Sequence, residues 1–145
     1  MSIEVATAEE MLNLGLLLSR QLRAGDLILV NGPLGAGKTV LAQGIGAGLG
    51  IDDVTSPTFV ISRVHKAALP MIHVDAYRLL DTENPNLYLD DLDLDIENSV
   101  TVIEWGGAES ARLSEDRLEI TIDRSNDIRQ VEIKAIGQRW NGFRL

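Results

Sequence analysis

The sequence predicts an α/β domain in which a mixed β-sheet is flanked by helices and ends in a C-terminal antiparallel hairpin. Short apolar runs bounded by glycine, proline and polar residues are typical of buried strands. In the first third of the chain, one stretch instead places apolar residues at the three- and four-residue spacing of a helix, and a second helix is predicted after a glycine-rich turn. Near the C-terminus, two segments alternate apolar and polar side chains, which favours a hairpin. Together these patterns indicate the α/β class.

The N-terminal region is predicted to form a short strand at residues 3–5, followed by a helix. Thr7 can accept a hydrogen bond from a backbone N–H of the first turn, and Glu10 can reach back, so the pair predicts a capping box. Five apolar residues then follow at helical spacing: Met11, Leu14, Leu17, Leu18 and Leu22. Ala24-Gly25 predicts the end of this helix.

The remaining elements follow from the same patterns. A buried strand is predicted at residues 27–30, and a helix at about residues 38–48. Gly44 and Gly48, or alternatively Gly46 and Gly50, are four residues apart, which indicates close packing of this helix against a neighbour. Further strands are predicted at residues 58–64, 71–74, 99–104, 118–122 and 128–136, the last two forming the hairpin.

Length and composition exclude several classes of protein. With 145 residues, 45% of them hydrophobic, the chain is expected to form a single domain spanning residues 1–145. The absence of cysteine excludes disulfides, thiol catalysis and cysteine-ligated metals. A net charge of −9 disfavours independent binding to nucleic acid or to an anionic membrane. Because neither a membrane-spanning run nor an export-signal pattern is found, a cytoplasmic protein is expected.

Most of the negative charge lies in one segment, residues 81–97. The segment carries seven Asp and Glu residues and no Lys or Arg, so it contributes −7 of the net −9. A solvated loop or helix face is the ordinary interpretation of such a block. An acidic surface that faces a partner is the alternative, and both stay open.

The segment Gly32-Pro33-Leu34-Gly35-Ala36-Gly37-Lys38-Thr39 matches the phosphate-loop pattern G-x-x-x-x-G-K-[ST] in full. It lies between a predicted strand and a predicted helix, so backbone N–H groups and the helix N-terminus can converge on phosphate. Lys38 is predicted to bridge the β- and γ-phosphates, and Thr39 to place its hydroxyl on Mg²⁺. These features predict a P-loop NTPase-like domain. The nucleotide-binding residues expected in this segment are Gly35, Ala36, Gly37, Lys38, Thr39 and Val40.

Hydrolysis also requires a carboxylate for the metal and a group that positions water. Asp75 and Glu104 both follow apolar runs predicted to be strands, and open α/β sheets bind ligands at the carboxyl ends of their strands. We therefore expect Glu104 to bind the metal and Asp75, with Lys38, to be catalytic, although the roles of the two carboxylates can be reversed. No Asn-Lys-x-Asp motif is present, so ATP is favoured over a guanine nucleotide.

Two further features have purely structural interpretations as well as functional ones. His65 and His73 are the only histidines, too few for a confident metal site, so both are interpreted as packing residues. The hydroxyl-rich turn Thr55-Ser56-Pro57-Thr58-Phe59 fits a nucleotide-sensing loop and a plain turn equally well.

Four motifs occur in a fixed order: the phosphate loop, Ser56-Pro57-Thr58-Phe59, His73-Val74-Asp75-Ala76-Tyr77-Arg78-Leu79 and Glu104-Trp105-Gly106. In so short a chain this combination resembles the TsaE family, the small ATPase of bacterial tRNA threonylcarbamoyladenosine biosynthesis, and the likeness covers essentially the whole chain. The resemblance implies an Mg²⁺-dependent ATPase that acts with a TsaB–TsaD heterodimer on adenosine 37 and contacts tRNA only indirectly. It also implies that Thr58 belongs to a switch-like loop and that Trp105 lies near the nucleotide, with a core aromatic as the alternative for Trp105.

Two other functions stay open at this point: a stand-alone small-molecule kinase and a non-hydrolytic nucleotide-sensing module. The pair of Asp75 and Glu104 favours chemistry over sensing, and the short chain leaves little room for the acceptor pocket and lid of a kinase. The chain departs from the family at Ala76, where leucine is usual, and at Asn84-Pro85-Asn86, where relatives often continue as a helix.

Overall fold

The computed structural model describes residues 1–33, 35–52, 54, 62–75, 95–104 and 114–145. Within these residues, seven strands form one mixed sheet in the order β1-β7-β6-β2-β5-β4-β3. The strands are β1 (Ser2–Val5), β2 (Leu27–Asn31), β3 (Ser62–His65), β4 (Met71–Asp75), β5 (Val100–Glu104), β6 (Arg117–Asp123) and β7 (Arg129–Ile136). The helices are α1 (Ala8–Ser19) and α2 (Lys38–Gly48), with short 3₁₀ turns at Ile96–Asn98 and Gln138–Trp140.

The centre of the sheet is parallel and its outer strands are antiparallel. Strand β2 pairs in parallel with both β5 and β6, and β5 pairs in parallel with β4. The outer strands β3 and β7 run antiparallel to β4 and β6 respectively. The carboxyl ends of β2, β4 and β5 therefore lie at one edge of the sheet, and the predicted α/β class with its C-terminal hairpin is confirmed.

Both helices pack together and against one face of the sheet. The central strand β2 lies between two parallel neighbours and is buried along almost its full length. Alternation along the strands points every second side chain toward the helices. The core formed there includes Leu14 and Leu18 of α1, Leu41 and Ile45 of α2, and Ile28, Val30, Val102, Leu118 and Ile120 of the sheet.

The start of α1 follows the predicted capping pattern with one difference. The Thr7 hydroxyl accepts a hydrogen bond from the Glu10 N–H at 3.1 Å, which satisfies a donor of the first turn. Glu10 reaches back as predicted, but its Oε2 accepts from the N–H of Ala6 at 2.6 Å, one residue before the cap. The two hydrogen bonds together hold the chain where it enters the helix.

The predicted end of this helix at Ala24-Gly25 is wrong, because α1 ends at Ser19. The next residues form tight turns instead, in which the N–H of Leu22 donates to the carbonyl of Ser19 at 3.2 Å. The Asp26 carboxylate then accepts the N–H of Arg23 at 2.8 Å. A side chain that captures a backbone donor competes with the helix for it, which explains the early end.

The close helix packing predicted from Gly44 and Gly48 is confirmed. The alternative pair does not face α1, since a Cβ on Gly46 would meet Val54 and one on Gly50 would meet nothing within 4 Å. A Cβ atom added to Gly44 would collide with the carbonyl oxygen of Leu12, and one added to Gly48 would collide with the Ser19 hydroxyl. Gly15 of α1 faces the same seam, since a Cβ there would lie 2.5 Å from the carbonyl oxygen of Leu41. The three glycines let the two backbones approach one another directly.

Two predicted segments fall partly outside the described residues. Strand β3 covers the end of the strand predicted at 58–64, and residues 58–61 are not described. Of the acidic segment, only the residues from 95 onward are described, and Asp95 and Glu97 are both exposed there. Among the described residues, no helix combines the length and the apolar character that crossing a bilayer requires.

Candidate nucleotide-binding site

The phosphate-loop segment connects β2 to α2 at the carboxyl edge of the sheet. Gly35 and Gly37 have φ values of 76° and 110°, in the left-handed region that glycine tolerates best. Gly37 is also the residue before the first turn of α2, where no side chain caps the helix and no acidic residue occupies the first turn. The first N–H groups of α2 are therefore available to an anion, and the helix dipole favours negative charge there.

Lys38 folds across this loop. Its side chain is buried, with only 7% of the residue exposed. The Nζ ammonium donates hydrogen bonds to the carbonyl oxygens of Gly32 at 2.7 Å and Pro33 at 3.0 Å. A positive charge thus lies inside the loop, where the N–H of Ala36 donates to the carbonyl of Pro33 at 3.1 Å.

Thr39 and Glu104, the two predicted metal ligands, come together from α2 and β5. The Thr39 hydroxyl donates to Glu104 Oε1 at 3.2 Å, although the two residues are 65 positions apart in the chain. Glu104 is only 4% exposed and is the last residue of β5. A hydroxyl beside a carboxylate is the type of oxygen donor set that Mg²⁺ accepts, so the residues present fit this ion. In the described part of the chain, no three acidic or histidine side chains cluster as a ready-made metal site.

Asp75 is the last residue of β4 and the register partner of Glu104 in the neighbouring parallel strand β5. The backbone positions of the two predicted carboxylates are therefore adjacent at the edge where the phosphate loop lies. Thr58 and Trp105, the other two predicted nucleotide-binding residues, lie outside the described residues, as does the side chain of Asp75.

His73 has a contact that the sequence analysis did not anticipate. It is fully buried, in agreement with its interpretation as a packing residue, but its Nε2 lies 2.7 Å from Glu104 Oε2. Glu104 is thus held at both oxygens, by Thr39 on one side and His73 on the other. The two-residue step between His73 and Asp75 places both on one face of a strand, but no pattern in the sequence shows that Glu104 lies beside them.

A second set of residues missed by the sequence analysis lies beside the phosphate loop. The Arg129 guanidinium donates from Nε to the carbonyl of Ala36 at 2.9 Å and from a terminal nitrogen to that of Gly35 at 3.2 Å. Arg129 and the N-terminus of α1 border a cavity of about 150 Å³ against the loop. Its lining residues are Thr7, Ala8, Met11, Gly35, Ala36, Gly37, Val40 and Arg129.

The resemblance suggested by the motifs is borne out by comparison with known proteins. The family model described as threonylcarbamoyl adenosine biosynthesis protein TsaE matches residues 5–132. The chain is 47% identical over 141 residues to the tRNA threonylcarbamoyladenosine biosynthesis protein TsaE of Streptomyces coelicolor, covering 90% of this chain and 93% of the relative. It is 46% identical over 125 residues to the protein of that name from Mycobacterium tuberculosis, covering 80% and 74% of the two chains.

A solved structure agrees with the family model. The crystal structure of Bacillus subtilis YdiB matches with a TM-score of 0.77 and 28% identity, covering 98% of this chain and 89% of the other. The full phosphate-loop motif, the parallel strands that carry Asp75 and Glu104 and the match over most of the chain agree with one another. The chain therefore belongs to the TsaE family of tRNA threonylcarbamoyladenosine biosynthesis proteins.

Proposed function

We propose that this protein is an Mg²⁺-dependent ATPase that supports the threonylcarbamoylation of adenosine 37 in tRNA, together with a TsaB–TsaD complex. The observation that carries the proposal is the convergence of Lys38, Thr39 and Glu104 at the carboxyl edge of the parallel strands. Phosphoryl chemistry on this scaffold requires a phosphate cradle, a cation and a metal-binding carboxylate at one place. Membership of the TsaE family supports a role in tRNA threonylcarbamoyladenosine biosynthesis, and the geometry of these residues supports ATP hydrolysis.

The triphosphate is proposed to bind along the phosphate loop, with its β-phosphate at the N-terminus of α2. Lys38 then exchanges its hydrogen bonds to the carbonyl groups of Gly32 and Pro33 for contacts with the β- and γ-phosphates. A phosphate oxygen is negatively charged, so it attracts the ammonium by a charge–charge interaction that a neutral carbonyl oxygen does not offer. The buried ammonium is therefore held ready for a ligand that it prefers.

The purine is proposed to occupy the cavity between the phosphate loop and the N-terminus of α1. The lining combines the apolar side chain of Met11 with the hydroxyl of Thr7 and the guanidinium of Arg129. A mostly apolar wall with a few polar groups suits a flat heterocycle. Val40, predicted to be part of the nucleotide site, borders the same cavity, so base and phosphates can be reached by one bound nucleotide.

Thr39 and Glu104 are the residues proposed to hold Mg²⁺. The ion, when bound, supplies neutralisation of the charge on the β- and γ-phosphates. Asp75 is proposed to orient the attacking water, whose oxygen bonds to the γ-phosphorus as the bond from that phosphorus to the β-phosphate oxygen breaks. The products are ADP and inorganic phosphate, and the proton of the water is released to solvent. This division of roles follows from the contact between Glu104 and Thr39, which ties Glu104 to the phosphate loop.

The proposed partners are proteins, and tRNA is proposed to be bound mainly by them. A net charge of −9 gives this chain little electrostatic attraction for a phosphate backbone. Because the protein is proposed to act within this complex, its ATP hydrolysis is proposed to be slow alone and faster when the partners are bound.

The test is Mg²⁺-dependent ATP hydrolysis by the purified protein, with and without a TsaB–TsaD pair from the same organism. We expect stimulation by the pair, its loss in Glu104→Ala, and weaker nucleotide binding in Lys38→Ala. Glu132→Ala is the matched control, because Glu132 is exposed on β7 and belongs to no part of the site.

Two outcomes contradict the proposal. In the first, TsaB–TsaD neither changes the rate of hydrolysis nor associates with this protein. That result contradicts the proposed partnership and favours the stand-alone kinase. ATP binding without hydrolysis under either condition instead favours the sensing module.

A further inference from the structure

We propose that His73 is a positioning residue that holds the Glu104 carboxylate in place for the metal. The inference rests on the proposed function, in which Glu104 is a ligand of Mg²⁺. It assigns a role to a buried histidine that the reaction itself does not require.

The contact between the two side chains is short and fully enclosed. His73 is 0% exposed and Glu104 is 4% exposed, and the Nε2 to Oε2 distance is 2.7 Å. A hydrogen bond to an ionised carboxylate is charge-assisted, and in a buried location it is screened little by water. The contact is therefore strong enough to select one side-chain conformation of Glu104.

The strands determine that the two side chains meet. His73 is the register partner of Val102, and Glu104 lies two residues farther along β5, on the same face of the sheet. Because β4 and β5 are adjacent strands paired along five residues, the imidazole reaches the carboxylate from a direction that the backbone pairing determines. Functional groups carried on such strands are held more precisely than groups on loops.

The two oxygens of Glu104 have different partners. Oε2 faces His73, and Oε1 accepts from the Thr39 hydroxyl at 3.2 Å. Rotating the carboxylate breaks one or both of these hydrogen bonds. His73 therefore leaves Oε1, the oxygen on the side of Thr39, as the one that serves a metal.

The other ring nitrogen explains why packing alone does not account for this residue. Nδ1 of His73 is buried and has no hydrogen-bond partner in the described part of the chain. An unpaired buried polar atom costs stability, and an apolar ring of the same shape would avoid that cost. Unlike an apolar ring, the imidazole offers an Nε2–H that can donate to Glu104. Metal-binding residues are commonly oriented by such outer partners.

The experiment compares His73→Phe, which keeps a ring but removes the donor, with His73→Gln, whose amide N–H can replace Nε2. Affinity for a fluorescent ADP is measured with and without Mg²⁺. For His73→Phe we expect the affinity for the nucleotide to be unchanged without the ion. The Mg²⁺ concentration that gives half of the Mg²⁺-dependent change in affinity, which we call the Mg²⁺ response, is expected to rise about tenfold or more, the usual loss of metal affinity when such a partner is removed. His73→Gln is expected to restore most of the Mg²⁺ response.

The matched control is His65→Phe, which replaces the other buried histidine. His65 is 8% exposed and pairs with Met71, at the end of β4 away from Asp75. This variant is expected to keep the wild-type Mg²⁺ response. Should His73→Phe fail to fold, His73→Gln is compared with the shorter His73→Asn, and an equal Mg²⁺ response of these two overturns the proposal.

A measurement on the metal-free protein tests the contact directly. Nitrogen-15 NMR of the histidine rings is expected to find the His73 proton on Nε2, with a signal that changes in Glu104→Ala. A ring protonated on Nδ1, or a wild-type Mg²⁺ response in His73→Phe, overturns the positioning role but leaves the ATPase proposal standing. If Glu104→Ala itself keeps the normal Mg²⁺ response, the proposed metal site fails and the role of His73 fails with it.

Discussion

Asp75 illustrates how much a single residue can be predicted from its neighbours in sequence. It follows the apolar run at residues 71–74, and Glu104 is the last residue of the strand predicted at 99–104, so both are expected at the carboxyl edge of a sheet. The parallel register, in which Asp75 is opposite Glu104, confirms that their backbones are adjacent. The prediction succeeded because a short apolar run with a polar last residue is a local signal.

From this position we predict that Asp75→Ala leaves ATP binding within about threefold of wild type but lowers turnover by about 100-fold, the usual contribution of a group that handles water. Binding is measured by fluorescence titration and turnover by single-turnover hydrolysis. Asp52→Ala is the control, because Asp52 is exposed and lies outside the site. An equally severe loss of binding in Asp75→Ala would make this residue a metal ligand or a structural one.

His73 and Arg129 show what residue patterns could not predict. The role of His73 depends on Glu104, which lies 31 positions away, and on the register between β4 and β5. Arg129 binds the carbonyl groups of Ala36 and Gly35 across more than 90 positions. A hydrogen bond from arginine to a backbone carbonyl cannot be predicted from the sequence, since every residue offers the same acceptor.

At the scale of elements, hydrophobic periodicity located the described strands and helices well, but it did not locate every end. The limits of α2 were predicted closely, because the phosphate-loop glycines mark its start and a glycine marks its end. For α1 the periodicity continues to Leu22, yet the helix ends at Ser19. The competing hydrogen bond from Arg23 to Asp26 is the signal that periodicity does not contain.

The seam between α1 and α2 leads to a prediction about stability. Alanine at an exposed helix position is about 1 kcal/mol more favourable than glycine. At Gly44 the added methyl group meets the Leu12 carbonyl and lies 3.0 Å from the Gly15 Cα, so the helices must separate. We expect Gly44→Ala to lower the free energy of unfolding by about 1–3 kcal/mol, the usual cost of overpacking. Urea denaturation measures the change.

The control for this seam is Ala47→Gly, an exposed position on the same helix. It reports helix propensity alone and is expected to cost about 1 kcal/mol or less. A Gly44→Ala variant more stable than wild type would mean that the two helices can move apart freely.

At the scale of the whole molecule, the strand order was beyond sequence reasoning. Hydrophobic patterns predict strands but carry no information on which strands pair, and β2 pairs here with β5 and β6, far along the chain. The chain ends are also joined to the fold by distant contacts. The N-terminal amine donates to the Ile133 carbonyl at 3.2 Å, and β1 pairs with β7.

The C-terminal segment is joined to the loop before β2 by Arg139. Its Nε and a terminal nitrogen donate to the two oxygens of Asp26, each at 3.0 Å, and the terminal nitrogen also donates to the Gln21 carbonyl at 2.7 Å. The guanidinium lies 4.0 Å from the ring centre of Trp140, and Asp26 is only 4% exposed. A bidentate, stacked and largely buried arginine is difficult to replace.

We predict that Arg139→Ala lowers the free energy of unfolding by about 3 kcal/mol, because it leaves the Asp26 carboxylate buried without its main partner. The matched control is Arg117→Ala, whose ion pair with Glu119 is 20–28% exposed and is expected to contribute about 1 kcal/mol or less. Chemical denaturation compares the two variants. The double variant Asp26→Ala with Arg139→Ala should recover part of the loss, since the unpaired charge is then removed. If Arg139→Ala and Arg117→Ala lower the free energy of unfolding equally, Arg139 contributes no more than a surface ion pair. The C-terminal segment is then held to the loop before β2 by apolar packing.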